Sequence, residues 1–453
     1  MKERRLLVKL WMGLIVICMM LLTFGMNASA ADEIKIGVVG PMKFANGEHT
    51  WQGAQIAADE INAAGGIRVK GKKYRVEIIK TDDNSFASMP DAVSAMERIV
   101  TLKKVDFVIG GCRSEAVLAQ QEIMADNKII FLGTGSAAGS LKIAKNYNRY
   151  KYFFRVAPSQ DTLGPNYGGT QYVAMMEPVI RALKTELGIE RPRVALLVEK
   201  GVWADNGSAY SKDVLSKMGC DVVGEWRPGF TATSMTAELL AIKRAGAHII
   251  FVYSAGPAGN ILSKQWGELK IPAALVGLSV AAGKPDHWKV TDGLCSFGAS
   301  SEVIVNVVKT KKTKAFVEAF VKKTGENPMF YAPAAYDAVY ILKGAIERTG
   351  TLNAEALIPA LEKTDYVGPD GRIVFTPPGH PTPHGCIWGP HQYTWVGFQW
   401  RDGKRMVYWP DGHEIHPAQI ATGAVGGWDK VRFEGTTNYV LPPWVVEYWK
   451  GKK

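Results

Sequence analysis

IKIGVVG (residues 34–40) followed by WQGAQIAADEINAAGG (51–66) is the stretch on which the fold turns. The first piece is a short apolar run ending in glycine, the pattern of a strand buried on both faces. The second puts Ala54, Ala57, Ala58 and Ile61 on one helical face and stops at Gly65-Gly66, so it reads as an amphipathic helix with a glycine terminator. Together they form one βα unit. The unit repeats through YRVEIIKTDD (74–83), a helix near 88–103, VDFVIGG (105–111), a helix from Ser114, and KIIFLGTG (128–135). Apolar strands alternating with helices predict a parallel sheet covered on both faces.

The pattern pauses at KYFFRVAPSQDTLGP (151–165) and resumes with RVALLVEK (193–200), a helix after Trp203, DVVGEWRP (221–228), a helix near 233–245, HIIFVYSAG (248–256) and AALVG (273–277). A second α/β lobe is therefore expected. Helices near 312–324 and 331–349 should return to the first lobe. After Gly368-Pro369 the text changes to short strands, turns and aromatics such as FQWRDGKRMVYWPD (398–411), ending in a Trp/Pro-rich tail. The fold class is α/β, with two doubly wound parallel-sheet lobes. Lobes of this kind place ligands in the crevice at the carboxyl ends of their strands, so function is expected in the loops after strands.

Lys2, Arg4, Arg5 and Lys9 precede an apolar run (10–24) and the small-x-small triplet Ala28-Ser29-Ala30, the form of a cleaved secretory signal over residues 1–30. A periplasmic location is expected. The 423 residues that would remain exceed one compact core, which again favours two lobes. The whole chain carries a formal charge of +11; residues 1–30 hold four basic residues and one acid, leaving +8. That excess is scattered, with no basic stripe carrying aromatics, so nucleic acid is not an expected partner. A mild positive field favours anionic or zwitterionic small ligands. Cys112, Cys220, Cys295 and Cys386 follow the leader, never in C-x-x-C; three full disulfide pairings are open, or none.

IKIGVVGPM, GAQIAADEINAAGGI, FVIGG, FRVAPSQDT, AYDAVYILKGAIERTG, GPDGRIVF and FQWRDGK, in this order and spacing, resemble the branched-chain amino-acid type of periplasmic solute-binding protein over nearly the whole mature chain. The resemblance implies a type I periplasmic-binding fold whose chain crosses between lobes three times. Matching text puts the crossings near 155–158, 297–301 and 368–373. Lobe one is then 32–155 plus 300–367, and lobe two 156–299 plus 368–408. Residues 409–453 run past the family's usual end as an extension of open role. The resemblance also implies a ligand closed between the lobes and delivery to the permease and ATPase subunits of an ABC importer by a monomeric protein.

The candidate ligand residues lie in loops after strands. In GGCRSEAV (110–117) a strand opens into a helix start, where free backbone N–H groups at 113–117 and the helix dipole favour an anion. Arg113, Ser114 and Glu115 are the candidates. Ser114 lies within a residue of the family's carboxylate-binding serine, and Arg113, a departure from the family, could pair with a carboxylate in two-pronged fashion. The competing reading leaves Arg113 in solvent and Ser114 as a helix cap. Cys112 at a helix start invites a nucleophile reading, but no histidine stands at a recognisable partner spacing.

In GTGSAAGS (133–140) the third glycine of a dinucleotide site is missing, so no cofactor is expected. The resemblance instead implies that Gly135, Ser136 and Ala137 offer N–H groups and a hydroxyl. Trp203 in EKGVWADNG (199–207) stands where the family commonly has a tyrosine stacking on the ligand; packing beneath the next helix is the alternative. The family's acid for an α-ammonium is Ser279 here, and an upstream tyrosine falls in YSAGPAG as Tyr253. Asp161 in PSQDT is a substitute acid for an amine, or else a helix cap. Should it not bind one, the ligand has no α-amino group. His380, His384, His391 and Cys386 lie in Pro/Gly loop text without a strong zinc spacing, and no metal is assigned.

The expected function is ligand binding for ABC uptake, with a small carboxylate as ligand: an amino acid, an amino-acid-like acid or an aromatic acid. Short amides and urea-like solutes are alternatives. A periplasmic sensor of the same fold is a rival that the sequence barely separates. An enzyme would need a nucleophile and base, and no G-x-S-x-G, H-E-x-x-H or P-loop is present.

Overall fold

A computed structural model describes residues 32–136, 138–157, 170–304, 307–390, 392–414 and 427–452, the side chains of residues 170, 171 and 206 aside. The opening repeat becomes the first sheet. Its strands are β1 (Glu33–Gly40), β2 (Ile67–Val69), β3 (Lys72–Asp82), β4 (Phe107–Gly110), β5 (Ile130–Gly133) and β6 (Phe153–Arg155), in the order β2-β3-β1-β4-β5-β6. Ile36 of β1 stands opposite Ile78 of β3 and Phe107 of β4, both parallel neighbours. β2 runs antiparallel to β3 because the two-residue link between them is too short for a crossover.

Helix Ala45–Ala63 follows β1 and buries Ala54, Ala57, Ala58 and Ile61, the face read from the sequence. It begins six residues before the quoted periodic stretch. Asn46, Gly47 and His49 lie in that first part and are buried without an apolar period to announce it.

The second sheet holds β7 (Arg193–Val198), β8 (Asp221–Trp226), β9 (Ile249–Ser254) and β10 (Ala274–Ser279), in the order β10-β9-β7-β8, all parallel. β9 and β10 are buried at every position, as their unbroken apolar text requires. Trp203 lies within helix Val202–Lys217, in its first turn, and not in a loop before it.

The chain then returns to the first sheet. Helix Tyr331–Thr349 packs on helix Ala45–Ala63, and the Tyr336 and Tyr340 hydroxyls donate to Glu60 Oε2 at 2.6 and 2.7 Å. β11 (Ala299–Glu302) leaves the end of the second sheet: the Ser279 N–H donates to Ser300 Oγ at 2.9 Å, and Ser300 Oγ donates to Ser279 O at 3.0 Å. The hairpin β12 (Asp365–Gly368) and β13 (Gly371–Val374) leads into the aromatic stretch, which supplies β14 (Val396–Arg401) and β15 (Lys404–Trp409). β14 pairs antiparallel with both β11 and β15.

The tail forms a helix, Pro443–Lys450, against the second sheet. Trp444 Nε1 donates to Ile271 O at 2.9 Å, Trp449 Nε1 donates to Pro272 O at 2.7 Å, and the Trp449 ring lies 4.4 Å from that of His248. These contacts cap the chain just before β9 and β10 with two indole donors. Among the described residues, all four cysteines are free and no helix is long and apolar enough to cross a membrane.

Candidate functional site

The path out of β4 is set by two glycines. Gly110 and Gly111 have φ of +121° and +77°, and a side chain on Gly110 would put its Cβ 2.1 Å from the Val39 carbonyl oxygen of β1. Only glycine lets the chain leave the sheet this way. It then delivers helix Ser114–Asn127 end-on, with Arg113 as the N-cap residue and no side-chain cap. The first intrahelical bond runs from Val117 N–H to Arg113 O at 3.0 Å, which leaves the N–H groups of Ser114, Glu115 and Ala116 without helical acceptors. Val117 N–H, counted in the sequence as free, is thus spent.

A cavity of about 590 Å³, partly open to solvent, lies where this helix start meets the ends of the second sheet's strands. The first wall carries Phe86, Cys112, Arg113, Ser114, Glu115, Gly135, Phe330 and Tyr331. Facing it are Glu199, Lys200, Gly201 and Trp203 after β7, Phe230 after β8, Ala255 after β9, and Leu278 and Val280 at the end of β10. The cavity thus gathers Arg113, Ser114, Glu115, Gly135 and Trp203 from the sequence candidates.

Their partners refine what each offers. Arg113 is already engaged, Nε donating to Glu115 Oε2 at 3.3 Å and Nη1 to Ser85 O at 3.2 Å. Ser114 is not a cap: its buried Oγ accepts from Ser136 Oγ at 3.4 Å and from Ala138 N–H at 3.3 Å. Glu115 Oε1 accepts the Val202 N–H at 3.1 Å, a bond from one wall to the other. Phe86 and Phe230 meet edge to face at 4.9 Å across the same gap. Gly135 lies against the Tyr331 ring, with 2.7 Å between a built Cβ and Tyr331 Cε1.

Three expected residues lie off the cavity lining. The Ser136 N–H donates to Gly111 O at 3.2 Å, which pins its loop to the turn after β4. Tyr253 is buried behind Trp203, its ring 5.8 Å away edge to face and its hydroxyl 2.7 Å from Ser211 Oγ. Ser279 serves the junction with β11, and its Oγ accepts the Ala282 N–H at 3.4 Å. Ala137 and Asp161 fall outside the described residues.

Phe86, Phe230, Phe330, Tyr331 and Glu199 are lining residues that the sequence reading missed, and Glu199 organises its wall. Its Oε2 accepts the Ala255 and Gly256 N–H groups at 2.8 and 3.0 Å, and its Oε1 accepts Trp203 Nε1 at 2.8 Å. Burial raises its carboxyl above the usual range, against hydrogen bonds that favour the charged form. The available signal was an acid at the end of the apolar strand text VALLVEK, just before a Gly-containing turn.

The surroundings of Cys112 disfavour a thiolate. Burial pushes its thiol up to about 12, and its neighbours are the Tyr331 hydroxyl at 3.4 Å and Asn46 Nδ2 at 3.7 Å, neither of them a base. His384 is a packing residue, stacked on Phe154 at 3.9 Å with Nε2 3.1 Å from Glu362 Oε1. Among the described residues no group of three His, Cys, Asp or Glu side chains could hold a metal ion.

The family model described as periplasmic binding protein matches residues 33–389. An amino acid binding protein of Pseudomonas aeruginosa is 26% identical over 340 residues, covering 72% of this chain and 81% of its own. A leucine binding protein from Thermotoga maritima shares the fold with a TM-score of 0.67 at 21% identity, over 85% of this chain and 99% of its own. A solute binding protein of an ABC transporter from Rhodopseudomonas palustris, in complex with 3,4-dihydroxybenzoic acid, gives a TM-score of 0.65 at 18% identity, over 83% of this chain and 95% of its own. The two solved relatives have the type I periplasmic-binding fold, and the chain described here belongs to the periplasmic binding protein family.

Proposed function

We propose that the chain is the extracytoplasmic substrate-binding component of an ABC importer, which takes a small carboxylate between its two sheets and hands it to a membrane permease. One observation carries the reading: three N–H groups without helical acceptors, at the start of helix Ser114–Asn127, stand at the edge of a cavity that the second sheet closes. The partial positive charge of a helix start and its unpaired donors suit an anion. Leucine and 3,4-dihydroxybenzoic acid, named with the two solved relatives, have a carboxylate in common. Residues 1–30 would direct export and be removed. Ligand held by both walls favours the closed arrangement, which is the form a permease would recognise.

The test is a thermal-shift screen of the mature protein against carboxylates and their neutral amides, followed by uptake of the radiolabelled hit in cells with and without the gene. A ligand at about 100 times its Kd adds roughly 2.7 kcal/mol to the folded state. Carboxylates should raise the melting temperature and their amides should not. A shift with amides alone would sink the anion site, and uptake that is indifferent to the gene would sink the transport role.

A further inference from the structure

Cations that lie scattered in the sequence are gathered by the fold at one end of the first lobe. Its parallel strands point their carboxyl ends at the cleft, so their amino ends form the opposite pole. There the β2–β3 hairpin carries Lys70 and Lys73, with Arg75 beside Glu33 at the start of β1. Lys103 and Lys104 lie in the turn before β4, close to Lys35, whose backbone N–H donates to Asp106 Oδ2 at 2.8 Å. Lys128 closes the helix before β5. Two acids of this pole are already taken, Asp32 by Lys72 and Glu77 by Lys35. Lys70, Lys73, Arg75, Lys103, Lys104 and Lys128 are exposed, and none has an ion-pair partner among the described residues.

This charge is held against local preference. Lys70, Lys104 and Lys128 have φ of +47°, +52° and +51°, the left-handed region in which glycine or asparagine is the easier choice. Arg68 stands directly opposite Lys73 across β2 and β3, and like charges so placed destabilise a sheet. Lysines protect an edge strand such as β2 from pairing, but Lys103, Lys104 and Lys128 precede the interior strands β4 and β5. Helix ends attract cations, but Lys70, Lys73 and Arg75 belong to a hairpin. Beside them Leu102, at the end of helix Met89–Thr101, is 73% exposed, the most exposed large apolar side chain among the described residues. Cations around a protruding apolar side chain fit a lipid surface, where phosphates face the charges and the leucine enters the acyl boundary.

We propose that this pole of the first lobe docks on anionic lipid and holds the protein at a membrane surface. The cleft, at the far end of the same strands, stays outside the contact. The docking surface is therefore independent of what the cleft binds.

Cosedimentation of the mature protein with vesicles tests it, phosphatidylcholine alone against phosphatidylcholine mixed with phosphatidylglycerol. Binding should require the anionic lipid and should weaken at least about tenfold between about 0.05 and about 0.3 M salt, as screening shortens the reach of the charges. Lys103→Glu with Lys104→Glu, and separately Lys70→Glu with Lys73→Glu, should each weaken it at least about tenfold. Lys243→Glu with Arg244→Glu, the same change of net charge at the end of helix Thr236–Arg244 behind the second sheet, should weaken it less than about twofold. Leu102→Ser should cost about threefold. Melting temperatures check that each variant folds, and the lipid and salt comparisons need no variant. Equal losses in all three double variants would mean that net charge alone acts, and would overturn the docking surface. Equal binding to both kinds of vesicle, or none to the anionic kind, would overturn it too. Binding to duplex DNA with none to vesicles would overturn it in favour of a nucleic-acid surface.

Discussion

The two walls of the cleft share one plan, a parallel strand running into a helix start, and finish it by different means. On the first wall the backbone does the organising. Gly110 and Gly111 turn the chain out of the sheet, the Thr134 and Ser136 N–H groups bind back to that turn at 2.9 and 3.2 Å, and Gly135 leaves room for the Tyr331 ring. On the second wall one buried side chain does the organising. Glu199 gathers Ala255, Gly256 and Trp203, contributed by the ends of β7 and β9. A wall turned by backbone leaves donors free for an anion, while a wall ordered by a carboxylate spends its donors internally; rings line both.

The sharpest way to break the comparison is Gly110→Ala. Strain at a positive φ costs roughly 1–3 kcal/mol for other residues, and a Cβ 2.1 Å from the Val39 oxygen forces the strand to shift, roughly another 1–3 kcal/mol. The urea midpoint should fall accordingly; an unchanged midpoint would mean that the turn relaxes freely.

Glu199→Gln comes next. A glutamine has one acceptor oxygen where three N–H donors now converge, so at least one buried donor loses its partner, at about 1–3 kcal/mol. Ligand affinity should drop about tenfold as Trp203 is released. In a Trp203→Ala background the same substitution should cost no further affinity, because its effect passes through that ring. Additive losses in the double variant would instead place Glu199 on the ligand.

A pH-dependent effect concerns the first wall's support. Glu302 Oε1 accepts the Phe330 and Val303 N–H groups at 2.7 and 3.0 Å, and burial raises its carboxyl to about 8. The folded protein thus holds this proton more tightly than the unfolded chain, whose glutamates titrate near about 4.3. The stability it contributes is complete below that lower value and is lost as pH rises toward about 8. Urea midpoints compared at about pH 5 and about pH 8 should show a smaller decline in Glu302→Gln than in the parent. Identical declines would contradict the assignment.

Much of the fold was legible because it is local. Apolar runs such as FVIGG and HIIFVYSAG announce buried strands, and the helix at 331–349 has the limits its periodicity set. The antiparallel joining of β11 to β14 was not legible, since partners about a hundred residues apart leave no periodic trace. The tail helix Pro443–Lys450 was hidden in Trp/Pro-rich text; its order comes from two indole hydrogen bonds to carbonyls near residue 272.

For the site, the sequence by itself pointed to the loops that face the cavity, because parallel strands of alternating βα text deliver their carboxyl ends to one edge. It also supplied Arg113, Ser114, Glu115, Gly135 and Trp203 as cavity residues. Only the tertiary structure decided what those residues have left to offer. Hydrogen-bond capacity is finite, and the partners that draw on it come from distant segments: Ala255 and Gly256 for Glu199, Val202 for Glu115, Ser85 for Arg113. Which donors remain free for a ligand is therefore a property of the folded cleft and not of any one motif.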